Sequence, residues 1–260
     1  MIKAHTFNAR RAFVTLIRKE IARFRCAAFH TIAAPVLSSL LYLIVFGAAL
    51  KERVKLDAGV DYVAFLVPGL VMMAVLQNAF ANTSSSFVQS KISGTLHFIL
   101  VPPMSGCLIA SAYVLAATLR GLLVGACVLI ATFFWAPVSP VSYGWIAAFG
   151  LFGALLMATL GLIGGIWAEK YEQMGMMQTF VVMPLTFLSG VFYSTDALPE
   201  PWGEFTLFNP VFYLIDGFRG GFLGRFESDP FASLVVVAIA TAGLFAVAVK
   251  LLSCGYKIKS

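Results

Sequence analysis

Asp196, Glu200, Glu204, Asp216 and Arg219 stand in a stretch, Met183 to Gly224, that is otherwise rich in Phe, Leu and Trp. No histidine, serine and carboxylate come together there, or elsewhere, in a spacing that would serve acid–base or nucleophilic chemistry. His5, His30 and His97 are scattered. The cysteines, Cys26, Cys107, Cys127 and Cys254, show no C-x-x-C spacing, so neither a zinc nor a redox motif is supported and no disulfide is expected. No phosphate-binding loop of the G-x-x-x-x-G-K-[ST] type occurs, and no H-E-x-x-H or G-x-S-x-G. The chain reads as a non-enzyme that holds no nucleotide, metal or cofactor itself. What remains is binding and gating. The Met183–Gly224 stretch is too apolar for a soluble loop and, broken at Pro199, Pro201 and Pro210, too interrupted for a span. Such backbone dips into a membrane from one side only where other helices or a wet cavity shield it.

The elements that position it are helices in lipid. The chain has 260 residues, 60% hydrophobic and 12% charged, with a mean hydropathy of +0.90. Soluble domains carry about 25% charged residues. Uncharged runs mark spans at about 27–50, 62–81, 143–168, 173–195 and 230–249. A sixth, at about 112–135, holds one charge, Arg120. Each is near the length needed to cross the hydrocarbon. The apolar run after the basic N-terminus begins late and is too long for a cleavable leader. The expected fold is all-α, a single membrane domain over 1–260 with six spans.

Twelve Lys and Arg fall on the side of the two termini and five on the other, which places both termini in the cytoplasm. Residues 10–24 alternate apolar Phe13, Leu16, Ile17, Ile21 and Phe24 with basic Arg11, Arg18 and Lys19. They form an amphipathic helix in the interface, its basic face on anionic headgroups. The net charge of +6 thus serves topology and gives no reason to expect nucleic acid.

Between spans two and three runs a long cytoplasmic segment, about Asn82 to Gly106. Val88, Ile92, Leu96 and Ile99 follow helical spacing, and Pro102-Pro103 stops the pattern. A surface helix there suits a docking partner. Ion-coupled transporters place ionisable groups within spans, and here only Arg120 stands in one, within snorkelling reach of the interface. Energy must come from elsewhere. An ion-coupled secondary transporter and a scaffold without a conduit stay open as alternatives.

The order Pro184, Leu185, Phe187, Leu188, Ser189, Gly190, Val191, Phe192, Tyr193, then Leu198-Pro199, Asn209-Pro210 and Asp216-Gly217-Phe218-Arg219 resembles the ABC-2 type permeases, membrane subunits of ATP-binding cassette exporters. The basic N-terminal helix, the Gly94 and Pro102-Pro103 loop and the six spans agree, so the likeness covers nearly the whole chain. It is similar to the bacterial inner-membrane branch associated with multidrug, polysaccharide or lipo-oligosaccharide export.

The resemblance implies a homodimer in the inner membrane, each copy docked on a separate ATPase subunit that carries ATP and Mg. It implies that the loop after span two is the coupling helix, with Lys91, Gly94, Thr95 and Leu96 against the ATPase and Arg18 and Arg23 on the nearby N-terminal helix. Members often have an acidic residue near position 97, where this chain has His97. It implies short re-entrant helices on the outer side between spans five and six. Conduit and gate candidates by residue type are Gln77, Asn78, Asn82, Thr179, Thr186 and Ser189, joined by Gly190, and by Asp216 and Arg219 as a pair at helical spacing. An interhelical hydrogen bond is the competing role for each polar one.

Overall fold

The computed structural model describes residues 8–26, 28–50, 61–194 and 202–257. The expected outer loop around 51–60, the Asp196, Leu198, Pro199, Glu200 and Pro201 positions, and the ends with Lys3, His5 and Lys259 lie outside the described residues.

Among the described residues the fold is all helical. Its elements are α1 (Ala9–Cys26), α2 (Ala28–Leu50), α3 (Tyr62–Ile92), α4 (Thr95–Leu100), α5 (Gly106–Phe133), α6 (Tyr143–Trp167), α7 (Tyr171–Met177), α8 (Met183–Phe187), α9 (Trp202–Leu207), α10 (Pro210–Leu223) and α11 (Pro230–Ser253). A π-helical turn, Gln178–Val182, joins α7 to α8. Five helices, α2, α3, α5, α6 and α11, are long and apolar enough to cross a membrane.

The centre is α3, buried on nearly all sides and packed chiefly on α5 and α6. Glycines on α6 bring the backbones close. A Cβ at Gly161 would collide with the Phe80 carbonyl oxygen and stand 3.0 Å from its Cα, and one at Gly165 would stand 2.9 Å from the Phe87 Cβ. Helices without a hydrophobic drive between them associate through such small-residue contacts. By contrast α2 and α11 flank the bundle and leave Leu37, Leu41, Val45, Phe231, Val235 and Ile239 exposed, as lipid-facing helices do.

Two elements depart from the sequence expectation. First, α3 continues through Asn82-Thr-Ser-Ser-Ser to Ile92 instead of ending near Ala81. The polar run stays helical because its hydroxyls bond back along the helix: Thr83 Oγ1 donates to the Ala79 carbonyl, Ser84 Oγ to that of Phe80 and Ser90 Oγ to that of Ser86. These small side chains then pack against α1, α5 and α6. The helix expected through Val88, Ile92, Leu96 and Ile99 is therefore divided. Its first part ends α3, and a break at Ser93-Gly94 begins the short α4.

Second, the run expected as a fifth span over 173–195 is not one regular helix. It is helical from Tyr171 to Phe187 with the π turn in it, then turns at Gly190, which takes φ +74°. Pro184 has no N–H for the carbonyl one turn earlier, and the wider π turn just before it accommodates that loss. Past Gly190, Phe192 packs on α2 through Phe46 and Tyr42, with ring centroids 4.8 and 5.6 Å apart.

Candidate functional site

At one end of α3, α1 lies across the bundle with Leu16 buried and Phe13 and Ile17 against the core. Its apolar face therefore meets protein as well as any lipid. Its polar face carries Glu20, buried, whose carboxylate accepts from Ser86 Oγ at 2.5 Å and pairs with Lys19 at 3.2 Å and Arg23 at 3.4 Å. Lys19 also reaches Ser90, whose hydroxyl meets the Tyr113 hydroxyl. Arg23 donates to the Asn82 carbonyl at 3.1 Å and to Asn82 Oδ1 at 2.8 Å. Arg120, from α5, donates to the same Oδ1 at 2.7 Å and to Thr31 Oγ1 on α2 at 3.2 Å. Four helices thus converge on Asn82. By residue type Asn82 suits a conduit and Arg23 a partner surface; the structure bonds them to each other. Arg18, by contrast, is exposed. Nothing in the sequence pattern singles out Ser86, Ser90 or Tyr113. The available signal was Glu20, the one acid in a basic segment.

Beside this node opens a groove of about 380 Å³ between α2, α3 and the α7–α8 rod. Ser38, Ser39, Gln77, Asn78 and Gln178 give it uncharged polar groups, and His30 and Thr31 stand in its wall. Met73, Met183 and Phe187 supply apolar surface. Among the conduit candidates Gln77 and Asn78 line this groove. Thr186 does not. It is buried and donates to the Val182 carbonyl at 2.6 Å. Ser189 is buried too, donating to the Leu185 carbonyl and accepting from Asn209 Nδ2 at 2.9 Å.

At the opposite end of α3, Tyr62 donates to the Phe192 carbonyl at 2.9 Å. Arg219 Nη2 donates to the carbonyls of Gly190 and Val191, at 2.5 and 3.4 Å. Asp216 accepts from the amides of Glu227 and Ser228, at 2.9 and 3.0 Å. The expected Asp216–Arg219 pair is not formed within salt-bridge distance. Both are buried in α10, where backbone groups of neighbouring turns need partners, and each side chain serves a different turn.

The remaining candidates sit at the α4 end. Gly94 is exposed in the left-handed region, φ +69°, and a Cβ added there would meet no atom within 4 Å. Ser93 and Thr95 share a hydroxyl hydrogen bond of 2.8 Å, and Leu96 tucks inward. His97 and Phe98 point out, Phe98 being 75% exposed. Lys91 is engaged internally. It donates to the carbonyls of Ile166 and Ala168 (3.1 Å for the second) and so closes the C-terminus of α6, where a cation is favoured. A cleft of about 760 Å³ separates α4 from Leu252, Ser253, Cys254 and Gly255 at the end of α11. Nearby, Lys257 pairs with Glu169 at 3.0 Å and holds that carboxyl below the usual carboxylate range. Among the described residues no cluster of His, Cys, Asp and Glu could hold a metal.

This arrangement sets uncharged polar groups, available for binding, within a bundle of apolar helices. The model of the ABC-2 type transporter family matches residues 11–223. The inner membrane transport permease YadH of Escherichia coli (strain K12) is 34% identical over 249 residues, covering 96% of this chain and 97% of that protein. Nodulation protein J of Rhizobium meliloti (strain 1021) is 28% identical over 215 residues, 82% of this chain and 81% of its own. Nodulation protein J of Rhizobium leguminosarum bv. viciae is 26% identical, over 80% of this chain and 81% of its own. With the family model matching most of the chain and a permease 34% identical over nearly all of it, and with five helices apolar and long enough to cross a membrane, the chain belongs to the ABC-2 type transporter family and is a transport permease.

Proposed function

We propose that the chain is the permease subunit of an exporter in a bacterial inner membrane, driven by a separate ATPase. The observation that carries this reading is the groove lined by Gln77, Asn78 and Gln178, an uncharged polar path along otherwise apolar helices. Amide and hydroxyl side chains of this kind suit a cargo rich in hydroxyls with an apolar part, such as a lipid-linked sugar; polysaccharide and hydrophobic drug are the other cargo classes. Nodulation protein J and YadH share the family, which supports a transport role.

Both termini are cytoplasmic, following the basic excess. The five long helices and the Tyr171–Phe187 rod make six crossings, and α9 and α10 enter from the outer side as re-entrant helices. α4 is the coupling helix, with exposed Gly94, His97 and Phe98 and half-buried Thr95 meeting the ATPase. Two copies face one another across the groove, among membrane lipids. ATP binding on the partner draws the two α4 ends together, and the groove changes access. Binding energy for cargo must differ between the two states for this to do work.

The test is reconstitution in proteoliposomes with and without the cognate ATPase. Cargo should accumulate only with the ATPase and ATP present. Equal flux without it, or flux driven by a proton gradient alone, overturns the reading.

A further inference from the structure

The geometry points to a binding site for the phosphate of an amphiphile where Arg23 and Arg120 converge beside Thr31, at the end of the groove. Three observations carry it. The first is charge. Among the described residues, Lys19 and Arg23 share a single carboxylate, Glu20, and Arg120 stands beside Arg23 on Asn82 Oδ1. Arg120 has an amide oxygen and a hydroxyl as its acceptors, and its buried Nε has no hydrogen-bond partner among the described residues. Arg23 has Glu20 as its anion, shared with Lys19, whereas Arg120 has no carboxylate within salt-bridge distance among the described residues and meets Arg23 at one neutral oxygen. Phosphate and carboxylate both fit such forks, and depth decides between them.

The second is depth. The apolar part of α3 runs from Tyr62 to Ala81, about 30 Å of helix, which matches the thickness of the hydrocarbon. Asn82, and with it both guanidinium groups, stands at the edge of that layer, where lipid phosphates lie. Arg120 packs against the Phe24 ring of α1, 5.4 Å from its centroid. A membrane-borne phosphate is already at that level.

The third is access. The Arg23 side chain is 26% exposed. Thr31 both accepts from Arg120 and lines the groove, so the node and the groove are continuous. An amphiphile whose phosphate sits between Arg23 and Arg120 can lay its uncharged polar part along Gln77, Asn78 and Gln178. This deepens the proposed function by naming a ligand class, and rests on it only for the onward passage of the ligand.

The experiment is thermal unfolding of the purified chain in nanodiscs, which needs no ATPase and so is separable from failure to transport. Phosphatidylglycerol in a phosphatidylcholine background should raise the midpoint of the native chain by several degrees. Arg120→Gln should remove most of that shift, while Lys170→Gln, exposed between α6 and α7, should keep it. An equal shift in Arg120→Gln, or an equal loss in Lys170→Gln, overturns the site. Protection by inorganic phosphate as strong as by the lipid overturns the amphiphile. Should Arg120→Gln fail to fold, a photoreactive phosphatidylglycerol decides on the native chain. Adducts concentrated on α1, α2 and α5 around Thr31 support the site, and adducts spread evenly over the lipid-facing helices refute it.

Discussion

Arg219 lies over the ring of Phe65, its guanidinium carbon 3.6 Å from the ring centroid. The same guanidinium holds the carbonyls of Gly190 and Val191, so one side chain of α10 joins the start of α3 to the turn after α8. Arg219→Met keeps the length and removes the donors. Two buried carbonyls then lose their partner, a loss of about 1–3 kcal/mol. Arg219→Lys keeps the charge but not the fork, and is expected to recover only part of that. Thermal unfolding of the purified variants measures both. A midpoint unchanged in Arg219→Met would show that the turn is held by other contacts.

The close approach of α6 to α3 gives a paired prediction. A Cβ at Gly161 runs into the Phe80 carbonyl, whereas at Gly175, on α7, nothing lies within 4 Å. Gly161→Ala should destabilise by about 1–3 kcal/mol through overpacking. Gly175→Ala should be neutral or gain up to about 1 kcal/mol from helix propensity. Equal midpoints for the two would contradict the packing.

Gly94 separates conformation from contact. Its φ of +69° suits glycine, is tolerated by asparagine and resisted by β-branched residues. Gly94→Val is expected to displace α4 and to lower permease-dependent ATP hydrolysis severalfold, with Gly94→Asn close to the native chain. Lys91→Met should act differently. It removes the cation from the end of α6 and so should lower the unfolding midpoint before it affects coupling. Loss of coupling in Lys91→Met at an unchanged midpoint would instead assign Lys91 to the partner surface.

Asn82→Asp keeps both guanidinium bonds and makes them charge-assisted. The unfolding midpoint should rise, and the stabilisation by phosphatidylglycerol should shrink, because the carboxylate then supplies the missing anion. A midpoint that falls would mean that Arg23 and Arg120 are satisfied as they stand.

The Glu169–Lys257 pair is exposed, and pairs of that kind contribute little. The carboxyl is held low by Lys257, so any stabilisation it gives is present above the ordinary carboxylate range and is lost as the pH falls through its own lowered value. Lys257→Met should leave the midpoint at neutral pH nearly unchanged and flatten that acid dependence. A large fall at neutral pH would reveal a further role for Lys257.

Long uncharged runs were legible because their length and composition are set by the bilayer. The run expected over 143–168 is α6, Tyr143–Trp167, and those expected over 27–50 and 230–249 are α2 and α11, within a few residues. The end of α3 was not legible. Asn82-Thr-Ser-Ser-Ser reads as a loop by type, and only its neighbours make a helix of it, by burying hydroxyls that bond to their own backbone. The interruption before Ser189 was hidden for a related reason, since apolar composition does not report the backbone donor missing at Pro184. Asp216 and Arg219 show the limit of spacing arguments. Three residues apart on α10, they suggest a pair, but burial sends each to the backbone groups nearest it. The node around Asn82 joins residues far apart in the chain, and no local pattern foretells that convergence.

The length of α3 has a mechanical consequence. Its 31 residues make a rod of about 45 Å, gripped by α1 at one end and by Tyr62 and Arg219 at the other. At Gly69 there is no slack, because a Cβ there would stand 2.8 Å from the Val191 oxygen. A shift of this rod along its axis cannot be taken up by soft packing on the way. Any such shift has to carry the turn around Gly190 with it, so the two ends of the bundle are tied to one helix.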